Sequence, residues 1–97
     1  MIVISERAAR DITVARAWLE NSSCGSGDRF VTEVQDAIRA ILANPRAFPE
    51  VEPDIRRVLC RRFEYKVFYT IEPDQIVILA VYHARRDPDK WDDPNRD

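Results

Sequence analysis

The sequence is poor in cysteine and glycine and has no long hydrophobic segment. It has 2 Cys and 2 Gly in 97 residues, and neither Cys24 nor Cys60 belongs to a C-x-x-C motif. Two isolated thiols exclude a disulfide framework, and only His83 could join them in a zinc site. The longest apolar run, residues 76–82, is much shorter than the roughly 20 residues of a transmembrane helix. We therefore expect a cytoplasmic protein that binds no metal or cofactor and no membrane.

Lysine is also scarce, and the charges are unevenly distributed along the chain. Of 15 basic residues only Lys66 and Lys90 are lysines, and the net charge is −2. Residues 55–66 carry five cations against Glu64, whereas residues 87–97 carry five aspartates. The sequence thus predicts an acidic tail from about residue 87. It also predicts a basic central segment that faces either solvent or an acidic partner.

The periodicity of the apolar residues predicts an α+β domain. A β-forming run at 1–4 precedes two segments with helical spacing, 6–20 and 28–43, joined by a loop that contains both glycines. Three β-rich runs follow at 56–63, 65–71 and 76–82. We expect one domain over residues 1–97, with a helical hairpin packed on an antiparallel sheet in the order β-α-α-β-β-β.

No standard catalytic motif is present, which leaves a set of cations near the single histidine. His83, Arg85 and Arg86 follow the last predicted strand, and further cations lie on the two strands before it (Arg56, Arg57, Arg61, Arg62, Lys66). Such a set suits either acid–base cleavage of a phosphodiester or binding to an acidic protein surface. A purely structural role for His83 is the third alternative, beside phosphodiester cleavage and binding to an acidic protein.

Several segments in order give the sequence a family resemblance. They are the N-terminal strand with residues 6–12, then 41–45, 48–49, 61–69 with its Tyr-x-Val-Phe-Tyr strand, and 78–88 with its His-x-Arg-Arg-Asp-Pro ending. Together they resemble the RelE/ParE superfamily of small toxins from bacterial type II toxin–antitoxin modules, over nearly the whole chain. The resemblance implies the helical-hairpin fold, growth arrest, a role in plasmid stabilisation and neutralisation by a cognate antitoxin.

The resemblance implies two alternative targets. ParE-like members bind DNA gyrase and trap its cleaved DNA complex, whereas RelE-like members cut mRNA on the ribosome. The ribonuclease pattern carried over to this chain gives a site of five residues (Arg57, Arg61, Lys66, His83, Arg86). Against it, Leu59 stands at one family lysine position, no tyrosine follows Arg86, and the chain is net acidic.

Gyrase inhibition is therefore our leading prediction, with His83, Arg85 and Arg86 as target-binding residues. Ribosome-dependent mRNA cleavage is the alternative, and a non-toxic relative that only binds antitoxin is the third hypothesis. We expect the antitoxin to cover the groove between the hairpin and the sheet, as a helix and an added strand. Trp18 and Tyr69 are predicted to be structural core residues, and Trp91 is predicted to fold back on the domain.

Overall fold

The computed structural model describes residues 1–85. Its elements are β1 (Ile2–Ile4), α1 (Glu6–Ser22), α2 (Ser26–Ala43), β2 (Glu50–Glu52), β3 (Ile55–Cys60), β4 (Tyr65–Ile71) and β5 (Ile76–His83). The strands form one sheet in the order β1-β5-β4-β3-β2, and the two helices pack on one face of it. The predicted α+β fold is confirmed. The acidic tail, with Trp91, lies outside the described residues.

The sheet differs from the expected one in two respects. β1 pairs with β5 in parallel, with Ile2 opposite Ile76, so the sheet is mixed rather than wholly antiparallel. The stretch expected as a plain connection before β3 contains the short strand β2, which pairs with the start of β3 through a bulge. Prolines at positions 49 and 53 flank β2, and proline cannot donate a ladder hydrogen bond, which limits this strand to three residues.

The first helix begins where the sequence predicts. The Ser5 hydroxyl accepts a hydrogen bond from the backbone N–H of Ala8 at 3.0 Å, and the buried stripe includes Ala8, Ala15 and Leu19. Trp18 is 47% exposed, so the prediction that it lies in the core is wrong. Successive helix residues are rotated by about 100°, which turns Trp18 away from the stripe that contains Leu19.

The turn between the helices is shorter than predicted, because Glu20 caps the second helix. Its two carboxylate oxygens accept the backbone N–H groups of Gly25 and Gly27, each at 3.0 Å. The bond from Gly25 has the larger effect and the bond from Gly27 the next, and they hold the pKa of Glu20 below its ordinary value. Gly27 also allows close helix contact, since a Cβ there would lie 2.8 Å from the backbone oxygen of Arg16.

The main core lies between the helices and the sheet. The apolar residues at helical spacing along α2, Phe30, Val34, Ala37 and Ile41, are buried there. Tyr69 of β4 is fully buried, as predicted, and its hydroxyl donates to the Pro45 carbonyl at 2.6 Å. This bond ties the chain that leaves α2 to the middle of the sheet. Burial raises the pKa of the Tyr69 phenol.

A β-bulge in β5 decides which side chains face the helices. Tyr69 is opposite Ile78 but Phe68 is opposite Ala80, so Leu79 is the extra residue. Helix α1 binds the backbone around the bulge: Ser5 Oγ donates to the Leu79 carbonyl at 3.1 Å, and Asp11 Oδ2 accepts the Val81 N–H at 2.9 Å. The bulge gives β5 two apolar faces. Ile78 and Val81 join the main core, whereas Ala80 and Tyr82 face away from the helices.

Candidate functional site

His83, at the end of β5, lies on the face of the sheet that the helices cover. Its register partner is Tyr65, and the two rings meet edge to face with centroids 5.0 Å apart and planes at 88°. Tyr65 in turn contacts Phe30 of α2, with centroids 4.8 Å apart. The His83 Nδ1 accepts the backbone N–H of Arg85 at 3.1 Å, which fixes the ring relative to the chain that follows.

Glu64 joins the β3–β4 turn to the end of β5. Its carbonyl accepts the Ala84 N–H at 2.6 Å, and its carboxylate lies 3.2 Å from the Arg85 guanidinium. Glu64 has φ +60°, a left-handed conformation in which a residue other than glycine is uncommon. The Arg85 side chain is 79% exposed, and such surface pairs contribute at most about 1 kcal/mol. The pair therefore orients Arg85 while leaving it available to a second acidic group.

Arg57 and Lys66 lie on the opposite face of the sheet, which we call the outer face. Lys66 is opposite Tyr82 on β5, and Arg57 is opposite Phe68 on β4. Neither cation forms an ion pair with another residue of the range 1–85. The guanidinium of Arg7, from α1, lies 5.1 Å from the centre of the Tyr82 ring. The outer face thus combines cations with apolar and aromatic side chains (Arg7, Ile55, Arg57, Leu59, Lys66, Phe68, Ala80, Tyr82).

Arg61 lies at a third place, beside a groove between α2 and β3. The groove has a volume of about 280 Å³ and is lined by α2 and β3 side chains (Glu33, Asp36, Ala37, Val58, Leu59, Cys60, Arg61). Burial, with a smaller effect of the nearby Glu33 carboxylate, raises the pKa of Cys60 to about 12. Glu33 Oε1 is buried and has no hydrogen-bond partner among the described residues. The groove therefore contains a carboxylate oxygen suited to accept a hydrogen bond from a partner.

Beyond its pairing with β2, the edge of β3 next to this groove has no strand partner among residues 1–85. The N–H of Arg57 donates to the Pro49 carbonyl at 3.2 Å, so the backbone groups of alternate β3 residues point to this side. The next such residue, Leu59, lies beyond the two residues that pair with β2, and its side chain is 41% exposed. An extended segment can bind here through backbone hydrogen bonds.

The structure does not bring the predicted ribonuclease set together. His83 faces the helices, Arg57 and Lys66 lie on the outer face, Arg61 lies beside α2, and Arg86 is outside the described residues. Of the predicted target-binding set, His83 and Arg85 are adjacent, while Arg86 again falls outside. Within residues 1–85, no cluster of three or more His, Cys, Asp or Glu side chains is placed to hold a metal ion.

Sequence reasoning missed the outer face as a unit. A period of two along β4 separates Lys66 and Phe68 from Tyr65 and Val67, and this signal was available in the sequence. The position of Arg7 over the Tyr82 ring could not be predicted from the sequence, because Arg7 belongs to a helix that is distant in sequence from β5.

The family of the chain follows from comparison with known proteins. Residues 2–88 match the sequence model of the ParE toxin of the type II toxin–antitoxin system parDE. The chain belongs to the ParE toxin family. Membership makes it a type II toxin and implies an antitoxin partner. No curated protein matches the sequence.

Two solved structures share the fold of this ParE-family toxin. One is the chromosomal ParDE system from P. aeruginosa, with 15% identity, a TM-score of 0.61, and coverage of 84% of this chain and 92% of that one. The other is the isolated E. coli RelE toxin, with 19% identity, a TM-score of 0.62, and coverage of 89% of this chain and 85% of that one. Because ParE and RelE toxins share this fold, the target has to be argued from the surface residues. None of the described helices is long and apolar enough to span a membrane.

Proposed function

We propose that this ParE-family toxin arrests growth in the cytoplasm by inhibiting DNA gyrase, and that it does not cut RNA. The observation that carries the proposal is the position of His83. Acid–base cleavage needs the proton-transferring group and the charge-stabilising cations at one phosphodiester. Here the sheet separates His83 from Lys66 and Arg57, because the bulge at Leu79 turns His83 toward the helices.

The residues at the end of β5 form the proposed contact with gyrase. His83 is held by Tyr65, and Arg85 is oriented by Glu64, so both positions depend on the packed sheet rather than on a free loop. A guanidinium presented in this way suits an acidic protein surface. Arg86, the next residue in the chain, completes the proposed set.

The proposed antitoxin site is the groove between α2 and β3, with the adjacent edge at Leu59. An antitoxin tail that folds on binding would add a strand beside Leu59 and place a hydrogen-bond donor at the buried oxygen of Glu33. Leu59→Arg should weaken antitoxin affinity at least tenfold, while Thr13→Arg on the exposed side of α1 serves as the matched control. Equal affinity of the two variants would contradict this location.

Ribosome-dependent mRNA cleavage remains the second candidate because of one observation. Arg57 and Lys66 carry no ion pair to a described residue and stand beside aromatic rings, an arrangement that binds nucleic acid. In this case Lys66→Ala should lower the cleavage rate about 100-fold or more, the usual value of acid–base help.

Induction of the toxin in cells separates the candidates. We expect growth arrest with a DNA-damage response and intact mRNA, lost in Arg85→Glu with Arg86→Glu and modestly reduced in His83→Ala. Codon-positioned mRNA cuts that disappear in Lys66→Ala would favour the ribonuclease and contradict the proposal. Normal growth with wild-type toxin that still binds antitoxin would instead identify a non-toxic relative.

A further inference from the structure

Two adjoining cavities lie along the flank of α2 that faces the end of β3. One is the groove described above, of about 280 Å³, and the other, of about 310 Å³, lies next to Arg62. Glu33 and Asp36, one helical turn apart on α2, line both cavities. Together the cavities form one cleft between α2 and residues 58–62, which we call the α2 cleft. Two carboxylates therefore stand at its centre.

The charge of Glu33 is not neutralised within residues 1–85. Its Oε1 atom is buried without a hydrogen-bond donor, and none of the arginines that line the cleft (Arg29, Arg61, Arg62) forms an ion pair with it. The Arg62 guanidinium instead lies 5.7 Å from the centre of the Phe63 ring. A buried carboxylate oxygen without a donor is unfavourable in the free toxin, and a partner that supplies the donor removes this cost.

We propose that the antitoxin inserts a lysine or arginine side chain into the α2 cleft, where its cationic group pairs with Glu33 and Asp36. The inference rests on the antitoxin site proposed above and names the kind of side chain that this site selects. An ammonium or guanidinium group donates hydrogen bonds and also carries the positive charge that Glu33 lacks. The pair of Asp36 with Arg39 is exposed on both sides, so Asp36 can share a second cation.

The register of an added strand brings one of its side chains to this place. Val58 and Cys60 of β3 belong to the core between the helices and the sheet, whereas Leu59 is 41% exposed. After burial, the Glu33 charge is the second cause of the raised pKa of Cys60, so the carboxylate lies close to this end of β3. Side chains of neighbouring strands on one face are about 5 Å apart. A residue of the antitoxin beside Cys60 therefore points toward Glu33, and the residues before and after it point away.

The charges of β3 disfavour a second copy of the toxin as the occupant. Residues 56–62 contain four arginines and no carboxylate. Two such strands side by side would bring arginines together, and like charges on opposite residues are destabilising. The antitoxin strand is therefore expected to carry a single basic residue, on the side that faces α2, rather than a run of cations.

Glu33→Gln separates a role in binding from a role in the stability of the toxin. The probe is the purified antitoxin encoded beside the toxin. Its affinity should fall at least about tenfold, as expected when one partner of a buried charge pair is removed. The melting temperature of the free toxin should stay the same or rise, because a buried unpaired charge is removed. Asp74→Asn, in the turn at the opposite end of β4, makes the same change of charge and should leave the affinity unchanged. Unchanged affinity in Glu33→Gln, or an equal loss in the control, would overturn the proposal.

A charge exchange identifies the cationic group. Glu33→Lys should abolish binding of the wild-type antitoxin, and replacement of one lysine or arginine of the antitoxin by glutamate should restore affinity at least about tenfold. Circular dichroism shows that the toxin variant is folded. If no such replacement restores binding, the proposal is wrong. Self-association of the toxin that is lost in Glu33→Gln would also overturn it, since a second copy would then supply the cation.

Leu59→Arg distinguishes failure of this inference from failure of the proposed antitoxin site. If Leu59→Arg weakens antitoxin binding and Glu33→Gln does not, the site stands and the basic side chain is refuted. If neither substitution weakens binding, the location of the antitoxin is refuted together with the inference. Neither result depends on whether gyrase is the target.

Discussion

Replacement of Tyr69 tests how the chain after α2 is held against the sheet. Tyr69→Phe removes one hydrogen bond, 2.6 Å long, and leaves the Pro45 carbonyl without that donor, which should lower the free energy of unfolding by about 1–2 kcal/mol. Tyr69→Ala also removes a fully buried ring that contacts Phe48, with centroids 6.5 Å apart. The expected loss is about 3–5 kcal/mol. A domain of this size has a total stability of about 5–15 kcal/mol, so the alanine variant should be close to unfolding on warming.

Urea and thermal unfolding followed by circular dichroism measure both losses. Each kcal/mol should lower the melting temperature by about 4–8 °C, and the dependence on urea concentration should stay constant if the native fold is kept. Trp18→Ala is the comparison variant, because Trp18 is 47% exposed and its loss should cost clearly less than the loss of Tyr69. If Trp18→Ala is as costly as Tyr69→Ala, the assignment of Tyr69 to the core and Trp18 to the surface is refuted.

Three further predictions concern stability. Gly27→Ala should lower the free energy of unfolding by about 1–2 kcal/mol in urea titration, because the clash with the Arg16 backbone outweighs the roughly 1 kcal/mol gained in helix propensity; a stabilised variant would contradict this. The folded-state pKa of Glu20 lies below its ordinary 4.5, so its contribution is present above that pH and is lost as the pH falls through the folded value. The free energy of unfolding, measured from pH 7 to 3, should therefore depend less on pH in Glu20→Gln than in the wild type. The same pH dependence in both proteins would show that Glu20 does not contribute. The pKa of Cys60 is raised from 9.0 to about 12, so its contribution to the free energy of unfolding is complete below pH 9 and is lost between pH 9 and 12. Cys60→Ala should reduce this loss of stability at alkaline pH. An equal loss of stability in both proteins would contradict the role of Cys60.

The helices and the three long strands were predictable because their signals are local. Apolar residues at Phe30, Val34, Ala37 and Ile41 recur at helical spacing, and all four are buried. The parallel pairing of β1 with β5 joins residues more than 70 positions apart, and the register of such a pair is not visible in either strand alone. Strand β2 was missed because it has three residues and adjoins two prolines.

The candidate site was predictable in part, and the bulge at Leu79 explains the difference. A strict period of two from Ile76 and Ile78 would place His83 on the outer face with Lys66, as a ribonuclease site requires. The one extra residue, Leu79, moves His83 to the face covered by the helices, where its ring contacts Tyr65. The bulge is bound by Ser5 and Asp11, and no pattern within β5 indicates it. By contrast, the order of the strands alone brings Glu64, in the β3–β4 turn, beside the end of β5, where it pairs with Arg85.

A plasmid cleavage assay with purified DNA gyrase tests whether the toxin inhibits this enzyme. The toxin is incubated with gyrase, relaxed plasmid and ATP, and the linear and supercoiled products are measured. We predict loss of supercoiling and accumulation of cleaved plasmid, abolished by Arg85→Glu with Arg86→Glu and retained in Lys66→Ala. Unaffected gyrase, together with mRNA cleavage on purified ribosomes that Lys66→Ala abolishes, would contradict gyrase inhibition.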